Sequence, residues 1–209
     1  HIRSTDYGFY YGSQRDAPDG EYNWRITQWI LPSNSIIPHP KYPISSRAYI
    51  PIDDDNTFVF GTSFNPEAPM TQEECKYLET GLGAAPQTIS GTFTPVINRD
   101  NNYMLDRDSQ RAGNATGIPG VNNQDRAIVE SMGPIVDREN EHLGTSDKAI
   151  ISSRRQLMQL AKDLQNGIEP LLPHNPAMFG VRAIDVISPS DELETVVETH
   201  KGSLRLPSR

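Results

Sequence analysis

Strand signals fill the first third of this chain and helical signals the rest, an order that points to an α+β fold with an antiparallel sheet. Tyr7 to Tyr11 and Tyr22 to Ile30 are aromatic and β-branched runs. They are separated by the turn-rich stretch RDAPDG at 15–20 and read as a hairpin. Ser46 to Ile52 and Thr57 to Thr62 form a second pair around the turn Asp53-Asp54-Asp55-Asn56. In the second strand, Trp24, Ile26, Gln28 and Ile30 share one face, and Arg25, Thr27 and Trp29 the other. Large groups on both faces suit a sheet with a core on one side and a cavity or subunit contact on the other.

Helical signals begin where Thr71 and Glu74 form a capping box for Gln72 to Glu79, which Gly81 and Gly83 end. Residues 84–101 read as loop, with Thr92, Thr94, Val96 and Ile97 extended. Asn102 to Gln110 reads as a short charged helix. Asn122 to Ser131 reads as another, after the loop Gly117-Ile118-Pro119-Gly120; it carries Asp125 in its first turn and Ala127, Ile128 and Met132 on its buried side. The long helix is Asp147 to Asn166, capped by Ser146 and stopped by Gly167. Ile150, Leu157, Leu160, Ala161 and Leu164 recur along it at helical spacing. A long C-terminal helix across a curved antiparallel sheet is a helix-grip (START-like) arrangement. From Ile168 onward Pro170, Pro173, Pro176, Pro189 and Pro207 break the pattern. This divides the chain into a domain portion, 1–167, and an extended surface tail, 168–209, with one short helix from Asp191 to Thr199 capped by Ser190.

With 209 residues, 35% of them hydrophobic and 22% charged, the chain can bury one sizeable core. A net charge of -8 argues against nucleic acid as a partner, which needs a basic surface. No apolar run approaches the ~20 residues of a membrane span, and no signal peptide is apparent, so a soluble cytoplasmic protein is expected. The single cysteine, Cys75, excludes an internal disulfide and a cysteine-ligated cluster built from this chain. CxH and CxxC pairs, which would hold an iron–sulfur cluster through two cysteines and two histidines, are absent. Five histidines stand at 1, 39, 142, 174 and 200, too far apart for a helical two-histidine iron motif.

Among polar residues, Asp125 can be read as a helix cap or as a metal ligand, and its position alone favours the cap. Arg25 can pair bidentately with a substrate carboxylate or make a surface or interface salt bridge. Capping and ion pairing account for Asn102, Tyr103, Asp106 and Arg107. Glu130, five positions beyond Asp125, points away from it and reads as a structural ion-pair partner. His142 reads as a packing residue near a helix end. The run Asp53 to Asp55 lacks the alternating oxygens of a calcium loop and reads as a turn. Cys75, beside Glu73 and Glu74, has no nucleophilic role.

Five blocks in order carry a resemblance: YNWRITQWI (22–30), IPIDDDNTF (50–58), NNYMLDRDSQ (101–110), NNQDRAIVESMGPIVDRENEHLG (122–144) and SDKAIISSRR (146–155). They resemble the C-terminal catalytic region of Rieske non-haem iron oxygenases, in the phthalate dioxygenase and dehydrodivanillate demethylase branch. The resemblance implies that Asp125, after Gln124, is the carboxylate of a 2-His-1-carboxylate triad for mononuclear Fe(II), with Gln124, Asn102 and Asp106 supporting it. It further implies a [2Fe-2S] cluster in an N-terminal Rieske domain absent from this chain, and NAD(P)H electrons delivered by a reductase. Dioxygen would be used to hydroxylate or O-demethylate an aromatic acid, in a trimer or larger homo-oligomer. Starting at His1 and lacking the cluster ligands and the iron histidines, the chain is expected to be the C-terminal part of a longer oxygenase, inactive alone. The alternative is a helix-grip domain that binds an aromatic or apolar ligand without redox chemistry.

Overall fold

The computed structural model describes residues 1–39, 43–65 and 67–205. Seven strands form an antiparallel sheet: β1 (Ile2–Thr5), β2 (Gly8–Asp16), β3 (Tyr22–Ile30), β4 (Asn34–Ile37), β5 (Ile44–Pro51), β6 (Thr57–Phe64) and β7 (Ile184–Ser188). The order is β1-β2-β3-β4-β5-β6, with β7 pairing to β3. With helices α1 (Gln72–Glu79), α2 (Arg107–Arg111), α3 (Val121–Ser131), α4 (Lys148–Gln165), α5 (Leu193–Thr199) and α6 (Lys201–Leu204), this is an α+β, helix-grip-like fold. No helix among the described residues is long and apolar enough to cross a membrane.

The chain divides into two compact units, one of His1–Ala48 with His142–Arg209 and one of Tyr49–Glu141. In the first, β3 pairs along its whole length with β2, from Gly8↔Ile30 to Asp16↔Tyr22. Its other edge is shared, with residues 22–26 facing β7 and residues 28–30 facing β4. The alternation expected of β3 holds. Trp24 and Ile26 are fully buried and form one core with Leu193, Val196, Val197 and Leu204 of α5 and α6. Burying each of these aliphatic side chains contributes about 1.5–3 kcal/mol. On the same strand face Gln28, fully buried, accepts a hydrogen bond from the Tyr7 phenol at 2.6 Å and donates to the Arg182 carbonyl at 2.9 Å.

Residues 184–205 therefore do not form a surface tail, whereas most of 168–180 is exposed. The Trp24 indole N–H donates to the Ser190 carbonyl, β7 takes up half of the β3 edge, and α5 and α6 supply most of the core partners of β3. Leu193, Val196, Val197 and Leu204 keep helical spacing, and the prolines at 170, 173, 176 and 189 lie outside β7, α5 and α6. Pro207 lies outside the described residues. Ser190 stands before the helix, its hydroxyl accepting from the Glu192 N–H, while Glu192 occupies the N-cap.

Helix α4 ends as expected. Gly167, with φ +77°, donates to Leu164 O and Ile168 to Asp163 O, the paired bonds of a Schellman motif. Its start differs, since Asp147 rather than Ser146 holds the N-cap. Its apolar stripe is also not a buried one: no side chain of α4 is fully buried, and Leu164 is 59% exposed.

In the second unit α1 carries the expected capping box, with Thr71 Oγ1 accepting from Glu74 N–H and Glu74 Oε2 from Thr71 N–H. Asp53 Oδ1 accepts from the N–H groups of Asp55 and Asn56, which makes the acidic run a turn. The helix expected over 102–110 breaks in two. Residues Arg99–Met104 form a 3-10 turn and Arg107–Arg111 a separate helix. Asn102, Tyr103 and Met104 take left-handed φ of 50°, 54° and 51°, a conformation that costs an L-residue roughly 1–2 kcal/mol. A charged, asparagine-rich pattern does not distinguish this turn from a helix.

Candidate functional site

Helix α3 grows out of a loop whose glycines are required where they stand. Gly120, the N-cap, has φ +78°, and a Cβ there would lie 3.0 Å from Leu82 Cδ2. Gly117, with φ +68°, leaves no room either: a Cβ would meet the Asp106 carbonyl oxygen at 2.5 Å. The N–H of Asp106 donates to Gly117 O at 2.9 Å, so the 101–110 block holds the loop that launches α3.

The first helical residues are fixed by three successive side-chain amides. Asn122 donates to Gly83 O, Asn123 to Pro119 O at 2.8 Å and Gln124 to Ile118 O at 2.9 Å. Asn123 is 1% exposed, a buried polar group satisfied as it must be. Arg126 then donates to Ile97 O and to Asn123 Oδ1 and lies 3.7 Å from Glu130 Oε1. Burial lowers the pKa of Arg126 from its ordinary value, and Glu130 acts in the opposite direction. Glu130 also accepts a hydrogen bond from the Tyr103 phenol, and its backbone carbonyl one from Arg99. Burial and the Glu130 hydrogen bond both raise the Tyr103 phenol above its usual pKa.

Asp125 is the exception in this stretch. The helix starts at Val121, so Asp125 falls in the second turn rather than the first and caps no free N–H group. Its carboxylate is exposed and makes no side-chain hydrogen bond or ion pair among the described residues. The side of α3 that carries it is apolar: Val121, Ile128, Val129 and Met132, at spacings of -4, +3, +4 and +7, are all exposed, Ile128 by 65% and Met132 by 49%. This corrects the expected orientation of the helix. Ala127 is buried as expected, but Ile128 and Met132 are not; the inward face is made by Asn123 and Ala127. Hydrophobicity alone chose the wrong face because the inward one is partly polar.

The other candidates divide. Arg25 has its Nε 3.3 Å from Asp185 Oδ2, directly across the β3/β7 register, and donates from Nη2 to Pro38 O at 2.9 Å. The Nε–Oδ2 approach is an ion pair by distance but not a well-directed hydrogen bond. This is the salt-bridge alternative for Arg25. Asp106 caps α2 by accepting from Asp108 N–H at 2.8 Å. Asn102 is exposed and serves the left-handed turn. Gln124 is committed to Ile118 O. The sequence reading missed the tethers of Asn122, Asn123 and Arg126, although three consecutive amides opening a helix were a visible signal.

No group of three or more His, Cys, Asp or Glu side chains among the described residues can hold a metal ion. All five histidines belong to the first unit, whereas Asp125 belongs to the second. In the second unit, a small cavity of about 20 Å³ near Thr80, Gln87, Val96 and Asn123 holds no more than a water molecule. The described residues thus offer an iron ion no complete ligand set.

The first unit holds the core of a helix-grip-like sheet, and the second holds a helix with an exposed carboxylate on its apolar side. The family follows from comparison with known proteins. Residues 1–191 match the LigXa C-terminal domain like family, and the chain belongs to it. It is 34% identical over 172 residues to the phthalate 4,5-dioxygenase oxygenase subunit of Pseudomonas putida, covering 79% of this chain and 38% of that protein. It is 28% identical over 176 residues to the 3-chlorobenzoate-3,4-dioxygenase oxygenase subunit of Comamonas testosteroni, covering 76% of this chain and 40% of that protein. The resemblance to the catalytic region of Rieske oxygenases stands. The chain spans about two-fifths of the length of these relatives.

Proposed function

We propose that this chain is the C-terminal catalytic portion of a Rieske-type mononuclear iron oxygenase that acts on an aromatic carboxylate. The observation that carries the proposal is Asp125, the unpaired carboxylate on the apolar side of a tethered helix, in a chain whose relatives are named for the oxygenation of phthalate and of 3-chlorobenzoate. Asp125 supplies the carboxylate of a 2-His-1-carboxylate site, and the two imidazoles come from outside residues 1–209. Iron held there would supply redox chemistry with dioxygen. The part of this chain is to fix the carboxylate at one place and to surround it with Val121, Ile128, Val129 and Met132, which exclude water once covered. A low-dielectric surround strengthens the attraction between carboxylate and cation.

The complete enzyme carries a [2Fe-2S] Rieske cluster in its N-terminal part, draws NAD(P)H electrons through a reductase and works in the cytoplasm as a homo-oligomer, a trimer or a multiple of one. The test is turnover by the full-length protein with a reductase. NADH-dependent oxygen consumption on phthalate, 3-chlorobenzoate or methoxylated benzoates, with an oxygenated or demethylated product seen by mass spectrometry, is expected. Saturable binding of these acids with no oxygen consumption in iron-loaded protein would instead favour the non-redox ligand-binding domain.

A further inference from the structure

Two of the groups that hold α3, Glu130 and Asn123, lie on the side turned away from Asp125, whereas Asn122, roughly 60° from it, is tied to Gly83 O. At about 100° per residue, Glu130 projects roughly 140° from Asp125 and Asn123 roughly 160° from it. Glu130 is tied to Tyr103, Arg126 and, through its backbone, Arg99; Asn123 is tied to Pro119 O and Arg126. Tethers on the far side restrain rotation and sliding of the helix while leaving the Asp125 side open. Tyr103 reaches Glu130 from the left-handed turn at 102–104, a conformation that persists only where its surroundings hold it.

We infer that Tyr103 and Glu130 are positioning residues for Asp125: their hydrogen bond joins the left-handed 102–104 turn to the back of α3 and sets the rotation at which the carboxylate is presented. The inference rests on the reading of Asp125 as an iron ligand. Metal–ligand distances tolerate only about 0.2 Å of displacement, so a small rotation of α3 alters the site even where the fold survives.

The experiment uses the full-length oxygenase with its cluster intact and its mononuclear site emptied, then titrated with Co(II). Affinity and the low-temperature EPR signal of high-spin Co(II) are read for wild type, Tyr103→Phe, Glu130→Ala, Glu130→Gln and Asp125→Asn, beside thermal midpoints. Tyr103→Phe and Glu130→Ala are expected to bind Co(II) about 10- to 100-fold more weakly, with a changed EPR line shape in protein that is still folded. Glu130→Gln, which keeps an acceptor for the phenol, is expected to recover most of the affinity. Wild-type Co(II) affinity and line shape in Tyr103→Phe and Glu130→Ala, while Asp125→Asn loses Co(II), would overturn the positioning role and leave the iron reading intact. Unchanged Co(II) binding in Asp125→Asn would overturn both.

Discussion

Leu193 and Trp24 converge over Gly12, so closely that a Cβ added to the glycine would lie 2.7 Å from Leu193 Cδ1 and 2.9 Å from the indole ring. Both side chains are fully buried, and this contact anchors the C-terminal helices to the middle of the sheet. Leu193→Ala is expected to lower stability by about 2–5 kcal/mol, and Gly12→Ala, which overpacks the same spot, by about 1–3 kcal/mol. Urea midpoints measure both. Midpoints like that of the wild type in both variants would mean that residues 190–205 do not pack on β3.

The sheet and several helices were legible in the sequence, for reasons particular residues make plain. Period-two alternation in β3 identified the Trp24/Ile26/Gln28/Ile30 face, and Thr71, Glu74 and Gly167 marked helix ends through their own hydrogen bonds. One face was misread. On α3, Ile128 and Met132 look like core residues but stand exposed. Composition tells which side chains gain by burial, not whether a surface is present to bury them. β7, α5 and α6 were obscured by the prolines around them, since proline breaks the local pattern without deciding what the intervening residues pair with across the sheet. At the site, the resemblance pointed to Asp125, whereas its place in the second turn of α3 and its lack of partners among the described residues depend on the fold.

Tyr7 links stability to alkaline pH. Burial pushes its phenol well above the ordinary value of about 10, while its proton is donated to Gln28. A raised folded pKa means that the stabilisation is fully present below the unfolded pKa and is lost as pH rises beyond it toward the folded value. The urea midpoint is therefore expected to fall above about pH 10. Tyr7→Phe should flatten that fall while lowering stability at pH 8 by about 1–3 kcal/mol, because Gln28 Oε1 is left without its donor. An equally steep alkaline fall in Tyr7→Phe would assign the effect to other groups.

Arg25 is engaged by Asp185 and Pro38 O, so it is expected to contribute little to substrate affinity. Arg25→Gln in the full-length enzyme should leave the KM for an aromatic acid within about twofold and lower stability by no more than about 1 kcal/mol, the usual range for a partly exposed pair. A rise in KM of about a hundredfold, equivalent to some 2.7 kcal/mol, would instead make Arg25 a carboxylate receptor.

The apolar side of α3 separates local from whole-protein effects. Ile128→Glu should change the stability of residues 1–209 by no more than about 0.5 kcal/mol, as expected at an exposed position. In the full-length protein, where this face borders the proposed iron site, the same change should lower iron content. Normal iron content in full-length Ile128→Glu would show that the face stays open to water.

The most direct measurement is iron and acid-labile sulfide per chain in the full-length oxygenase, wild type against Asp125→Asn. Wild type is expected to hold three irons and two sulfides, one [2Fe-2S] cluster with one mononuclear iron, and Asp125→Asn to keep the sulfides and lose about one iron per chain. An Asp125→Asn protein that retains all its iron would contradict the account and leave Asp125 an exposed carboxylate with no part in the site.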